Sequence, residues 1–183
     1  MKEIESNIKS YLLNKRIKNI KFFNINDTYL DFAQKSMWVI DGGIQIDIDN
    51  GVFCFGWNYE QEGYDLVFDK PIETILGEAP AYEVDLKKNS GLGAIIGSEI
   101  IDIEFEWGFY QEFDENAELK EDKIFFPVLL LLKFRLNDFL QLALIDYEIQ
   151  EGVDNIINPE FNLGGELLIS YNTEITITNA NKD

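Results

Sequence analysis

Residues 101–107 alternate strictly between apolar and acidic side chains. The apolar positions are Ile101, Ile103, Phe105 and Trp107, and the acidic positions are Asp102, Glu104 and Glu106. A period of two is that of a β-strand, in which successive side chains point to opposite faces. The pattern therefore predicts a strand with one face on a hydrophobic core and an acidic face in water.

Several other segments have the same extended character. Residues 44–57 predict a β-hairpin, because alternating isoleucines are followed by Asp-Asn-Gly at 49–51 and then by a second extended run. We expect one strand at Met37–Ile40 before this hairpin and another at Tyr64–Phe68 after it, so that the strands form an antiparallel meander. A short helical turn is expected over residues 70–77, with Pro near its start and Gly at its end.

The C-terminal third predicts a second hairpin that is more apolar than the first. Its arms are Phe126–Arg135 and Phe139–Glu148, joined by Leu136-Asn137-Asp138. Arms that are apolar along most of their length indicate strands in the middle of a sheet. Leu167–Tyr171 and Glu174–Thr178 are predicted to add a last strand or pair of strands.

At the N-terminus the period is that of a helix. Residues 2–15 place Ile4, Ile8, Tyr11 and Leu12 at spacings of three and four, with polar residues between them. We therefore predict a single α+β, mainly β domain of residues 1–183, which fold as an antiparallel meander into a curved sheet or a sandwich. Its predicted parts are the amphipathic helix (1–16), the β-rich body (17–178) and a polar tail (179–183).

The residue types that are missing exclude much catalytic chemistry. The chain has no His and one cysteine, Cys54, which removes Ser-His-Asp and Cys-His pairs, His-ligated zinc, thiolate clusters and a disulfide within the chain. Cys54 lies in an apolar run with no base beside it, so we expect a small buried hydrophobe. The protein is predicted to be non-enzymatic and to use neither a metal nor another cofactor.

The overall charge limits the choice of partner. The chain has 15 basic and 34 acidic residues, a formal charge of −19. Binding to nucleic acid or to an anionic membrane depends on clustered Lys and Arg, so we expect neither partner. The N-terminus lacks a signal-peptide pattern, and the longest apolar stretch, Ile124–Leu132, is too short for a transmembrane helix, which predicts a cytoplasmic protein. The oligomeric state stays open.

The charge is also unevenly distributed along the chain. Residues 1–35 are net positive, whereas residues 99–122 carry ten carboxylates against Lys120 alone. Side chains at every second position of a strand lie about 6.5–7 Å apart, so Asp102, Glu104 and Glu106 reinforce one negative potential. Such a stripe suits a basic protein partner. Two alternatives stay open, a face that is acidic only for solubility and a site for a divalent cation.

Large aromatic side chains leave a second function open. If they line a concavity, they could stack on a sugar ring or hold another small ligand, whereas most aromatics of β-rich domains belong to the core. The candidates are Trp38, Trp57, Trp107, Tyr59, Tyr64 and Tyr110.

The apolar hairpin sequence from Leu130 to Leu142, in a small acidic chain without catalytic apparatus, resembles immunity proteins of bacterial polymorphic toxin systems. The resemblance is one of general composition and hairpin pattern, and it covers about residues 36–178. Such proteins neutralise a cognate toxin, commonly a basic nuclease, by covering its active site with an acidic surface. The contact residues that the resemblance implies are Asp102, Glu104, Glu106, Asp114, Glu115 and Glu118.

Overall fold

The structure, a computed structural model, describes residues 1–26, 30–32, 36–85, 91–111, 123–149 and 156–178. It contains the helices α1 (Lys2–Leu12) and α2 (Glu73–Leu76). The strands are β1 (Ile17–Asn24), β2 (Leu30–Phe32), β3 (Met37–Ile40), β4 (Gly43–Ile48), β5 (Gly51–Asn58), β6 (Gly63–Phe68), β7 (Tyr82–Glu83), β8 (Ile100–Tyr110), β9 (Ile124–Phe134), β10 (Phe139–Ile149), β11 (Ile156–Phe161) and β12 (Glu166–Tyr171). Leu92–Ile95 and Arg135–Asn137 form short 3₁₀ turns.

The strands form two antiparallel sheets that pack together as a sandwich. The first sheet has the order β6-β5-β4-β1-β7, and the second has the order β2-β3-β12-β10-β9-β8, with β11 paired to β10 beside β12. One hydrophobic cluster joins their inner faces, and the rings of Phe22 and Trp38, one from each sheet, meet edge to face at 5.6 Å. The α+β, mainly β prediction is confirmed, and two packed sheets describe the architecture better than one curved sheet.

Both predicted hairpins are present. Strands β4 and β5 pair from Gly43↔Gly56 to Ile48↔Gly51, and β5 continues into β6. Strands β9 and β10 pair on either side of the second predicted turn, where Leu136 and Asn137 adopt positive φ. The N-terminal helix is also present but ends at Leu12, before the predicted end at residue 16, and the helical turn α2 lies within the predicted range 70–77.

The predicted meander is wrong at its first strand, because β3 belongs to the second sheet. There it pairs with β12 and β2 instead of with β4. Trp38 and Ile40 face the core between the sheets, whereas Met37 and Val39 face a second cluster on the outer side. A strand without polar residues is best accommodated where both faces of the sheet are covered. The chain then crosses between the sheets at Gly42, where a Cβ would lie 2.3 Å from the Phe23 carbonyl oxygen.

The C-terminal segment is a second correction. Glu174–Thr178 was predicted as a strand, but it makes only a single parallel bridge between Thr178 and Glu160. The segment crosses the outer face of the second sheet and covers it with Ile175 and Ile177. Its alternating residues therefore reflect packing onto a sheet face, not pairing in a ladder. Strands β1, β2, β7 and β11 were not predicted, and the predicted tail 179–183 lies outside the described residues.

The single cysteine is buried, as predicted. Cys54 is free and fully shielded from solvent beneath α2. Burial, with smaller contributions from Asp47 and Glu73, raises the pKa of its thiol to about 12. The thiol is therefore protonated at neutral pH and packs as a small apolar group. Within the described residues, no helix is long and apolar enough to cross a bilayer.

Helix α1 is held against both sheets. Ile8 and Leu12 are fully buried in the core between the sheets. The Tyr11 hydroxyl accepts a hydrogen bond of 3.0 Å from the Val52 amide, and its own hydrogen points toward the Val52 carbonyl oxygen at 3.1 Å and the Asp69 carboxylate. A Cβ at position 51 would lie 2.2 Å from this hydroxyl, so any larger residue there would have to displace the Tyr11 side chain.

We expect Tyr11→Phe to lower the free energy of unfolding by about 1–2 kcal/mol, because it leaves the Val52 amide without its partner. Urea denaturation followed by circular dichroism measures the change. Tyr59→Phe is the matched control, since Tyr59 is 55% exposed, and we expect it to change stability by less than about 0.5 kcal/mol. Equal stability of the two variants would show that the hydroxyl does not hold α1 in place.

Candidate functional site

The structure brings Asp102, Glu104 and Glu106 together on the outer face of the second sheet. We refer to these three residues as the acidic row. The Asp102 and Glu104 side chains are each 54% exposed, and Ile103 between them points into the core. The row therefore presents its carboxylates to solvent from one edge strand, β8.

Ile101 does not face the core, contrary to the sequence prediction. A β-bulge between Ile100 and Asp102 inserts one extra residue opposite β9, so Ile100 and Ile103 are buried while Ile101 is 47% exposed. A bulge adds one residue to the period, which places two neighbours on the same side. The exposed apolar side chain stands beside the start of the acidic row.

A second register shift lies further along the same pair of strands. Glu106 pairs with Leu129 but Trp107 pairs with Pro127, so Val128 is the extra residue. Proline has no amide to donate to a ladder and is tolerated at such an irregularity. Phe105 and Trp107 still share one side of β8, with their rings stacked at 6.0 Å.

Lys133 neutralises part of the acidic row. Its Nζ contacts a Glu104 carboxylate oxygen and lies 3.8 Å from Asp102 Oδ2. The hydrogen bond to Glu104, with smaller effects of both carboxylates, raises the pKa of Lys133. Among the described residues, Glu106 has no ion-pair partner. The row of three carboxylates thus keeps a net charge of about −2 after one lysine is counted, and exposed pairs of this kind add little stability.

A groove of about 330 Å³ runs beside the acidic row. Leu129 and Leu131 of β9 line it, and its sides include Glu104, Lys133 and Glu174. Apolar side chains that stay half-buried between carboxylates resemble the centre and rim of a polar protein interface. The groove gives the acidic face an apolar floor that a surface made only for solubility does not need.

Gln141 fixes the C-terminal side of this groove. It is 2% exposed. Its amide nitrogen donates to the Ile175 carbonyl at 3.2 Å, and the Ile175 amide donates to its carbonyl oxygen at 3.3 Å. This reciprocal pair satisfies a buried polar side chain and ties the segment that carries Glu174 to the sheet.

The remaining predicted contact residues, Asp114, Glu115 and Glu118, lie outside the described residues. The described residues stop at Gln111 and resume at Lys123. At the start of β8, Arg135 pairs with Glu99 at 3.6 Å.

The predicted aromatic residues divide between core and surface. Trp38 is 1% exposed and belongs to the core. Trp57 packs edge to face on Tyr64 at 5.5 Å, Trp107 stacks on Phe105, and Tyr59 is exposed. Tyr64 and Tyr110 alone among the predicted residues line one cavity, of about 880 Å³.

Phe126, which lines the same cavity, was not among the predicted aromatics. It half-faces the interior from β9, opposite Gly108 of β8. The sequence placed it only at the start of a hairpin arm, and no local pattern marks it as a cavity residue.

The chemistry open to the described residues is limited. Within them, no group of three or more Cys, Asp or Glu side chains is arranged to hold a metal ion. Cys54 is protonated and inaccessible. Comparison of the chain with protein-family models, with curated proteins and with solved structures finds no match.

We expect Gln141→Leu to loosen the C-terminal segment. The substitution removes both hydrogen bonds to Ile175 but leaves a side chain of about the same volume. Native-state hydrogen exchange of the Ile175 amide should become about tenfold faster. Gln61→Leu, at an exposed turn position, is the matched control and should leave this amide unchanged. Unaltered exchange in Gln141→Leu would mean that Ile175 and Ile177 hold the segment by packing alone.

Proposed function

We propose that this protein is a non-enzymatic binding protein that recognises a basic protein surface with the outer face of β8 and β9. The observation that carries the proposal is the placement of Asp102, Glu104 and Glu106 on one exposed face. Carboxylates arranged in this way steer a cationic partner toward the face and set its orientation.

The apolar floor next to the acidic row supports binding over simple solubility. Leu129 and Leu131 lie beside Glu106 and Glu104 in the register of the two strands. A partner that presents lysines or arginines could pair their charged ends with the row while their aliphatic stems cover these leucines. Interfaces of this kind combine an apolar centre with charged groups at the rim.

The acidic row also disfavours pairing of β8 with another copy of itself. Among the described residues, β8 beyond its first residue makes strand pairing only with β9, and α1 packs against part of it. Like charges that face each other across a strand pair are destabilising, and charges on an edge strand prevent edge-to-edge aggregation. A basic partner would instead be attracted by these charges.

The resemblance to immunity proteins indicates which biological role such binding would have. A protein of that class would be cytoplasmic and would neutralise a basic toxin, such as a nuclease, by covering its surface. The contact set would include the acidic row together with Asp114, Glu115 and Glu118.

Charge reversal tests the protein-binding proposal. The chain of residues 1–183 is used to capture binding partners from cell extract. Each captured protein with an isoelectric point above about 9 is then purified for titration calorimetry. We expect Asp102→Lys, Glu104→Lys and Glu106→Lys together to weaken its binding at least about tenfold. Lys133→Gln should strengthen binding about twofold, because it removes the lysine that pairs with Asp102 and Glu104, and added salt should weaken all complexes.

The matched control reverses three exposed acids away from this face, Glu3, Glu73 and Glu78. It changes the net charge by the same amount, and we expect it to change affinity by less than about threefold. If both triple variants lose affinity equally, only the overall charge matters and the proposed face is not the binding site. Circular dichroism confirms that each variant is folded.

A second candidate function is favoured by one specific observation. The cavity lined by Tyr64, Tyr110 and Phe126 is the aromatic-lined concavity that a small-ligand-binding domain needs. Its position does not overlap the acidic row, so the two functions can be tested separately.

A further inference from the structure

The outer face of the second sheet is covered unevenly. Over β10, the segment after β12 lies against the sheet, because Ile175 is tied to Gln141 by two hydrogen bonds. On the neighbouring strand β9, Leu129 and Leu131 stay half-buried and line the groove of about 330 Å³. The groove therefore runs along β9, between the acidic row on β8 and the C-terminal segment over β10.

The strand register sets each residue of the acidic row beside one outward-facing residue of β9. At the first of these positions β9 supplies a cation, because Lys133 Nζ contacts Glu104 and lies 3.8 Å from Asp102. At the other two positions β9 supplies leucines, so a cation that balances Glu106 has to come from outside this strand. The three pairs are Asp102↔Lys133, Glu104↔Leu131 and Glu106↔Leu129.

The groove has the width of one α-helix. Neighbouring strands lie about 4.8 Å apart, so the distance from β8 across β9 to β10 is about 9.5 Å. A helix with its side chains is about 10–12 Å across. A helix along β9 would lie on the leucines, with the acidic row on one side and Glu174, which also lines the groove, on the other.

The spacing of the acidic row matches the repeat of a helix. Both register shifts of β8 and β9 lie outside the row, so its carboxylates follow a regular stretch of strand. They are about 6.5–7 Å apart, and residues i and i+4 of a helix lie on one face about 6 Å apart along the axis. Basic residues at i, i+4 and i+8 on one flank of a helix would therefore each meet one carboxylate.

A helix also fits this face better than an extended segment does. An extended segment turns a single row of side chains toward the sheet, because its alternate residues point away. A helix turns several adjacent rows toward it, so that an apolar stripe and a basic flank contact the sheet together. The groove offers leucines and carboxylates side by side, which calls for two such rows.

Building on the protein-binding function proposed for this face, we infer that the groove holds an amphipathic helix of the basic partner. Its apolar stripe covers Leu129 and Leu131, and lysines or arginines at every fourth position face the acidic row. Proteins commonly recognise an amphipathic helix by laying its apolar face into a groove of this kind. A helix with an acidic flank would be repelled by the row.

Titration calorimetry of the full chain with three synthetic peptides tests this inference. The first is an alanine-based helix of about 18 residues with a leucine stripe and lysines at i, i+4 and i+8 on one flank. The second has the same composition but carries its lysines opposite the leucines. The third is the first peptide with two central prolines, which break the helix. We expect the first peptide to bind at least about tenfold more tightly than either of the others.

Variants decide whether the first peptide binds in the groove. Leu131→Gln should weaken its binding about tenfold, because the leucine stripe loses an apolar contact. Leu136→Gln is the matched control, since Leu136 is 93% exposed at the turn after β9. Glu174→Lys should weaken binding about threefold, and Glu60→Lys, at an exposed turn of the first sheet, is its control. Both controls should change binding by less than about twofold, and circular dichroism confirms that each variant is folded.

The outcomes separate a wrong helix inference from a wrong protein-binding proposal. Equal binding of the three peptides, or no binding of the first, would show that the face does not select a helix. Binding of the first peptide that survives both Leu131→Gln and Glu174→Lys would place it elsewhere on the acidic surface. Either result overturns the helix inference alone. The protein-binding proposal fails separately, if reversal of the acidic row leaves the affinity for the captured basic protein unchanged.

Discussion

The burial of the two inner sheet faces against each other is the interaction on which the rest of the structure depends. Large side chains from both sheets, such as Phe22, Phe55, Trp38 and Leu132, are almost completely removed from water. Each such side chain contributes about 1.5–3 kcal/mol relative to an exposed one. Because these residues alternate along their strands, the same packing determines which side chains remain on the outer faces.

The charge distribution follows from this packing. The carboxylates of β8 stand at the positions opposite the core, and the only base beside them is Lys133 on the neighbouring strand, as far as the structure describes the chain. The outer face of the same sheet is then completed by the C-terminal segment, which Gln141 holds in place. A surface with acids, an apolar floor and a fixed border therefore arises from residues that are far apart in sequence.

The side between the sheets gives the molecule its second feature. The edge strands β6 and β8 border this side, and α1 covers the half nearer Phe68 and Phe105. The described lining of the other half includes Tyr110, which is 45% exposed, whereas Tyr64 is 9% exposed. The two proposed functions thus have separate structural origins, one in the outer face of a sheet and the other in the side between the two sheets, and neither needs the chemistry of a catalytic group.

The sequence by itself determined the elements whose side chains follow a simple local period: α1, the hairpins β4–β5 and β9–β10, and the acidic row. Local period and turn residues are enough there, because each side chain's face depends on its near neighbours. Only the tertiary structure decided that β3 joins the second sheet, that Ile101 faces water, that Lys133 meets Asp102 and Glu104, and that Tyr64, Tyr110 and Phe126 share a cavity. Strand pairing, bulges and cavities depend on contacts between distant parts of the chain, and a local period carries no information about those contacts.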